Sequence, residues 1–265
     1  DISNRTTKKS LLGVEYKMPV ALAPVGSLGM QRADGEILAA QAAEGFGVPF
    51  TLSTMSICSI EEVARNTSKP FWFQLYVMRD HDFAKRLVER AKAAQCSALV
   101  LTLDLQILGQ RHADIRNGLS IPLKIKLSNL FDLLSKPSWC YQMARTKNRT
   151  FGNVMGHVKD ITNLNSLTKW VQDQFDTRLN WDDVKRIKDW WGGKLIIKGI
   201  MDPDDAKMAQ KCGADALVVS NHGGRQLDGV NSSISTLPEI KKAVSHMEVL
   251  MDGGISSGQD ILKAI

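Results

Sequence analysis

Seven times along these 265 residues, a short apolar run breaks off in polar residues and a stretch of helical periodicity follows. The runs cover residues 19–24, 49–53, 71–76, 98–104, 195–200, 216–221 and 249–254. They are too short for helices and rich in Val, Ile and Leu, as strands buried on both faces are. Between them, helices are expected over 31–45, from Ser59, over 80–94, 181–191, 202–212 and 237–246, and from Ser257. Ser59 with Glu61 and Glu62 behind it has the acids that suit a helix start. Strict strand–helix alternation means a parallel sheet, either doubly wound or closed as a (β/α)8 TIM barrel.

Polar residues at the C-terminal ends of the runs favour the barrel: Ser53, Gln74 with Tyr76, Thr102 with Asp104, Lys198, Ser220 with His222, and Asp252. A barrel gathers every strand tip on one face, whereas an open sheet gathers them at a switch point. No G-x-G-x-x-G follows the first run, which argues against a dinucleotide site of the Rossmann kind. At 43% hydrophobic content one sizeable core in a single domain, 1–265, is expected, with a long insertion at about 118–180.

The most informative tip reads Ala-Leu-Val-Val-Ser-Asn-His-Gly-Gly-Arg-Gln-Leu-Asp-Gly over 216–229. Two glycines behind His222 let the chain turn tightly, and Arg225 follows within reach of the same space. A base and an anion clamp would then share one rim. An isolated His-Gly-Gly-Arg is more readily read as a satisfied turn histidine beside a solvated arginine. Over its full length, however, SNHGGRQLDG resembles the active-site signature of the FMN-dependent 2-hydroxy-acid dehydrogenase and oxidase family, which includes glycolate oxidase, flavin-linked L-lactate dehydrogenases and mandelate dehydrogenase. The phrases TLSTMSICSIEEVA and FQLYVMRD look most like those of the bacterial L-lactate dehydrogenases.

The resemblance implies oxidation of an L-2-hydroxy acid, L-lactate first, to the 2-keto acid with FMN as cofactor. It implies His222 as base, Asp104 as its acidic partner and Tyr76 facing the substrate; an imidazole titrates near neutrality, and a carboxylate fixes its tautomer. Arg111, in LGQRHADIR, and Arg225 match the carboxylate-binding arginines, suited to bidentate recognition; Arg116 is read as structural or substrate-facing. Ser53, Gln74, Thr102 and Ser220 match the groups around the flavin ring, Lys198 the cation near N1, and Pro24, Val25 and Gly26 a backbone segment along the ring. Asp252, Gly253 and Gly254 would meet the ribityl chain and phosphate, while Met55 and Leu108 would set substrate size. One departure is Ser256, where the family has an arginine beside the phosphate. The family's eighth strand, with its phosphate-binding Gly-Arg, and its N-terminal segment, with a substrate-binding tyrosine, are absent from this sequence, so a fragment or an open-barrelled product is expected.

A net charge of +6 and a pI near 9.1 fit an anionic ligand or a membrane surface, and nothing else in the chain supports nucleic acid. Cys58, Cys96, Cys140 and Cys212 lack metal spacing and fit a reducing compartment. No secretion signal and no apolar run of ~20 residues is found, so a cytoplasmic location is expected. In the insertion, apolar and aromatic residues interleave with Lys and Arg, which reads as peripheral contact with the cytoplasmic membrane face and a quinone acceptor, or equally as a lid or subunit contact. The resemblance also implies a homo-oligomer, a tetramer. Three other readings stay open: a truncated, non-catalytic flavin- or phosphate-binding barrel, an oxygen-using 2-hydroxy-acid oxidase, and a barrel isomerase acting on a phosphorylated substrate.

Overall fold

The computed structural model describes residues 3–107, 109, 111–116, 132–158, 170, 174, 177–226 and 228–265. Its centre is a parallel sheet of β3 (Thr51–Ser53), β4 (Trp72–Tyr76), β5 (Ala98–Thr102), β6 (Lys194–Ile200), β7 (Ala216–Val219) and β8 (Glu248–Met251), each paired with the next in sequence. Leu22 adds a parallel bridge to Phe50, so the first expected strand takes its place as a single bridge. An order that never reverses is barrel winding; a doubly wound sheet would reverse at its switch point.

The register explains why these runs are apolar almost throughout. Phe73, Leu75, Leu99, Leu101, Leu195, Ile197, Leu217 and Val219 pack in one large cluster with the helices, while the alternate residues Trp72, Ala98, Val100, Ile196 and Ala216 form a second cluster. Further along the same inward face the residues become Gln74, Thr102, Lys198 and Ser220, all buried. Two-residue periodicity thus carries one strand face from an apolar floor to a polar rim.

The floor is closed by an element that precedes the first expected strand. β1 (Lys9–Leu11) and β2 (Val14–Tyr16) form an antiparallel hairpin across Leu12 and Gly13, whose φ values of 54° and 84° make a type I′ turn. The Leu12 amide donates to both carboxylate oxygens of Glu248, at 3.0 and 3.1 Å, and Leu11 and Leu12 pack against the Trp72 cluster.

The described helices are α1 (Leu28–Gln31), α2 (Gly35–Phe46), α3 (Ile60–Arg65), α4 (His81–Ala93), α5 (His112–Arg116), α6 (Pro137–Arg145), α7 (Trp181–Trp191), α8 (Pro203–Lys211), α9 (Ser233–Ala243) and α10 (Gly258–Ala264). Ser59 and Asn180 close capping boxes with Glu62 and Asp183, and Asp80 and Asp202 cap α4 and α8. Two helix starts differ from expectation. The helix expected over 31–45 breaks at Arg32, which is extended, and restarts after Asp34. α9 starts about a turn early because the Ser232 hydroxyl caps it, leaving Pro238 inside the helix rather than in its first turn.

The insertion returns to the barrel through buried contacts. Trp139 donates its indole N–H to the Met30 carbonyl at 2.9 Å, Thr146 and Asn148 both donate to Asp34, and Asn153 is wholly buried beneath the end of β3. Arg90 grips Glu61 with two nitrogens, at 2.7 and 2.8 Å, and donates a third bond to the Asn153 carbonyl. The Arg90 hydrogen bonds hold Glu61 at about 2, far below the usual carboxylate range. A depressed folded value means the pair stabilises the fold at neutral pH and that this contribution fades as pH falls from the ordinary range through about 2. Glu61→Gln is therefore expected to lower the urea midpoint at neutral pH and to flatten its decline on acidification; an unchanged acid profile would count against this.

Candidate active site

At the rim the polar tips are wired to one another. Ser53 donates its hydroxyl to Gln74 Oε1 at 3.2 Å, the Thr54 amide adds a bond to the same oxygen at 3.3 Å, and Gln74 Nε2 donates to Thr102 Oγ1 at 3.0 Å. The Lys198 ammonium, 5% exposed, donates to Ser220 Oγ at 2.8 Å and lies 3.0 Å from Asp252 Oδ2. A buried cation needs such partners, and both strand register and neighbouring tips supply them.

The backbone of His222 is left-handed, with φ 57°, an unusual state for a residue with a Cβ. It is held there by its own amide, which donates to Ser220 Oγ at 3.1 Å, and by its ring, whose Nδ1 lies 2.9 Å from Asp104 Oδ1. Both side chains are largely buried, at 20% and 13% exposure. Because the carboxylate only accepts, Nδ1 carries the hydrogen and Nε2 is left with its lone pair, which is the tautomer a base requires.

Asp104 fits because of Gly199. There the β6–β7 register shifts between Lys198 and Ile200, and Gly199 takes φ 100°. A Cβ at that position would lie 2.8 Å from both Cβ and Cγ of Asp104. The bulge turns the strand under the carboxylate.

Tyr76 ends β4 on the same rim. Burial, and then the Asp104 charge, push its phenol up to about 12 against a smaller opposing effect of Arg111, so it stays a neutral donor across the physiological range. The loops bearing the arginines interlock: a Cβ on Gly109 would fall 2.2 Å from the Arg225 carbonyl oxygen, Arg111 donates to Gln226 Oε1 at 3.4 Å, and Gln226 donates to the Ile107 carbonyl at 2.9 Å. Arg225 reaches back along the turn, so a Cβ on Gly223 would lie 3.0 Å from its guanidinium.

Other expected residues line the same rim. Gly26 runs beside Met55, and the Ser27 amide donates to the Met55 carbonyl at 2.9 Å. Gly253 and Gly254, with φ 102° and 72°, follow Asp252. Ser256 turns toward α10, where its amide and hydroxyl both donate to Asp260 Oδ2. Arg116 lies at the exposed end of α5, and Leu108 lies outside the described residues. Reading the sequence missed Thr54, which accepts from the Tyr76 amide at 3.3 Å, and Asn153, whose amide reaches Ser56 Oγ at 2.9 Å and the Ser53 and Thr54 carbonyls at 3.4 Å. Gly199 carried a signal, a glycine inside an otherwise apolar strand.

Two rim oxygens, Asp104 Oδ2 and Asp252 Oδ1, are buried yet accept no hydrogen bond from the described residues. Together with the Lys198 ammonium and the amide and hydroxyls of Gln74, Ser53, Thr102 and Ser220, they make a donor and acceptor set that fits a polar heterocycle with a hydroxylated chain, as FMN is.

Comparison with known proteins points the same way. The FMN-dependent dehydrogenase family matches residues 1–265. The L-lactate dehydrogenase of Haemophilus influenzae (strain PittEE) is 46% identical over 267 residues, covering 100% of this chain and 70% of that protein. The L-lactate dehydrogenase of Vibrio cholerae serotype O1 (strain M66-2) is 43% identical with the same coverage. Among solved structures, a monotopic membrane protein, (S)-mandelate dehydrogenase, superposes with a TM-score of 0.92 at 33% identity, covering 100% of this chain and 70% of that one. A mandelate oxidase with (S)-4-hydroxymandelic acid gives 0.81 at 35% identity, covering 100% and 68%. On these grounds the chain, a (β/α) barrel with its polar groups gathered at the strand ends, belongs to the family of FMN-dependent dehydrogenases.

Proposed function

We propose that this member of the family oxidises L-lactate to its 2-keto acid with His222 as the base. FMN-dependent oxidation of a 2-hydroxy acid follows from membership of the family; the substrate and the residue roles are our reading. The observation that carries it is the His222–Asp104 pair, 2.9 Å apart and set on the same rim as buried Lys198. Bound FMN supplies the acceptor of two electrons. Arg111 and Arg225 hold the substrate carboxylate and Tyr76 donates to its oxygen. His222 Nε2 takes a proton, and the Asp104 carboxylate stabilises the imidazolium that results. Lys198 would help hold the flavin ring and would supply positive charge beside it when FMN is bound. Adding L-lactate anaerobically to the FMN-loaded protein is expected to bleach the visible flavin band; a band that persists sinks this reading.

A second reading, peripheral attachment to the cytoplasmic membrane face with a quinone as electron acceptor, has its own support. Leu134 and Tyr141 are 71% and 60% exposed, among Lys136, Arg145, Lys147 and Arg149, while Trp139 anchors α6 to the barrel. Such a face suits an anionic lipid surface. No described helix is long and apolar enough to cross a membrane. Co-sedimentation with anionic vesicles is expected to fall sharply in Leu134→Glu/Tyr141→Glu; undiminished sedimentation would remove this reading. The homotetramer implied by the resemblance is a matter for light scattering.

A further inference from the structure

Glu36, in the first turn of α2, is 1% exposed, and its role does not come from the acid–base chemistry above. One oxygen, Oε1, accepts two backbone amides from different strand-to-helix connections: Gly29 at 3.0 Å, in the short helix α1 after the first strand position, and Ile57 at 2.9 Å, in the segment after β3. The connections touch where they are clasped. A Cβ on Gly29 would lie 2.6 Å from Cβ of Ile57 and 2.8 Å from Glu36 Oε2. Above the clasp the same connections meet again, where Ser27 donates to the Met55 carbonyl and Gly26 lies beside the Met55 side chain.

We propose that Glu36 is a positioning residue: it touches neither substrate nor flavin, but sets the spacing of the wall made by Pro24–Gly26 and Met55, and so the fit of the flavin and of the substrate side chain. This rests on the reading of the strand ends as a flavin cleft. A buried carboxylate is a costly way to join two connections unless its acceptor strength and fixed reach matter, and here both amides converge on one atom at the positive end of a 12-residue helix.

The test compares Glu36→Gln, which keeps an oxygen able to serve as Oε1, with Glu36→Met, which has a side chain of similar length and no strong acceptor. FMN affinity, the visible circular dichroism of bound flavin, and kcat and KM for L-lactate are measured on the holoenzyme. Expected for Glu36→Gln, a weaker acceptor at the same reach, are values between those of wild type and Glu36→Met. Glu36→Met should show altered flavin dichroism, weaker FMN binding and a KM raised more than kcat is lowered, by up to about a hundredfold, the cost of roughly an ångström of misplacement. A folded Glu36→Met protein with wild-type dichroism, affinity and KM overturns the proposal, as does Glu36→Gln losing as much as Glu36→Met. Should Glu36→Met give no folded protein, amide exchange in the wild type decides: strand-like protection of Gly29 and Ile57 supports the clasp, and exchange as fast as in open loops overturns it. Wild-type protein that binds no FMN would instead sink the flavin reading itself.

Discussion

Replacing His222 with asparagine is expected to lower kcat for L-lactate by about 10²- to 10⁴-fold while leaving FMN affinity within a few-fold of wild type. Asparagine is the informative choice because it tolerates the left-handed backbone better than most residues, so the turn at φ 57° is kept while the base is removed. The bond from this residue to Ser220 comes from its backbone amide, so the Ser220–Lys198–Asp252 group is not disturbed. A loss confined to kcat therefore reports the imidazole. The paired variant Asp104→Asn tests the tautomer. An amide N–H facing Nδ1 would turn that atom into an acceptor and put the hydrogen on Nε2, where a base cannot use it. It should fall by a comparable factor, and the two losses should not add, because both remove one functional unit. Either variant turning over at the wild-type rate would falsify the assignment of His222 as base.

How much of this could be read from the residues alone depended on whether a signal was local. The strands were legible because both their faces are buried, which leaves an unbroken apolar run such as Leu195–Ile197. The tips were legible because a polar residue at the end of such a run has few places to go. Their partners were not: that Gln74 bridges Ser53 and Thr102, or that Lys198 meets both Ser220 and Asp252, depends on register across strands far apart in the chain. Glu36 was hidden because an acid in the first turn of a helix already has an ordinary reading, as complement to the helix dipole. Asn153 was hidden because the insertion around it has no periodicity to mark which of its polar residues turn inward. The hairpin escaped because its turn is Leu-Gly, in which leucine takes the positive φ usually left to Asn, Asp or Gly; the Glu248 carboxylate that receives the Leu12 amide lies 236 residues away.

Gly199→Ala is expected to cost roughly 3–5 kcal/mol of stability, from a sparsely populated backbone state and an overpacking clash together. At φ 100° the position lies well beyond the left-handed well that other residues visit, and the new methyl would sit 2.8 Å from two carbons of Asp104. The control is Gly192→Ala: that glycine closes α7 at φ 68° with nothing within 4 Å of its missing Cβ, so only the ordinary left-handed penalty of about 1–2 kcal/mol applies there. The difference between the two urea midpoints reports the contact with Asp104 together with the extra backbone strain at φ 100°. Folded Gly199→Ala protein carries a second signature. Relief of the clash moves Asp104 away from His222 Nδ1, so kcat should fall with it, whereas Gly192→Ala should turn over normally. Equal midpoints for the two variants would mean that the carboxylate does not rest on the bulge. The one glycine in β6 would then have no part in orienting the base, and the link from strand register to acid–base chemistry would have to run through Ser220 alone.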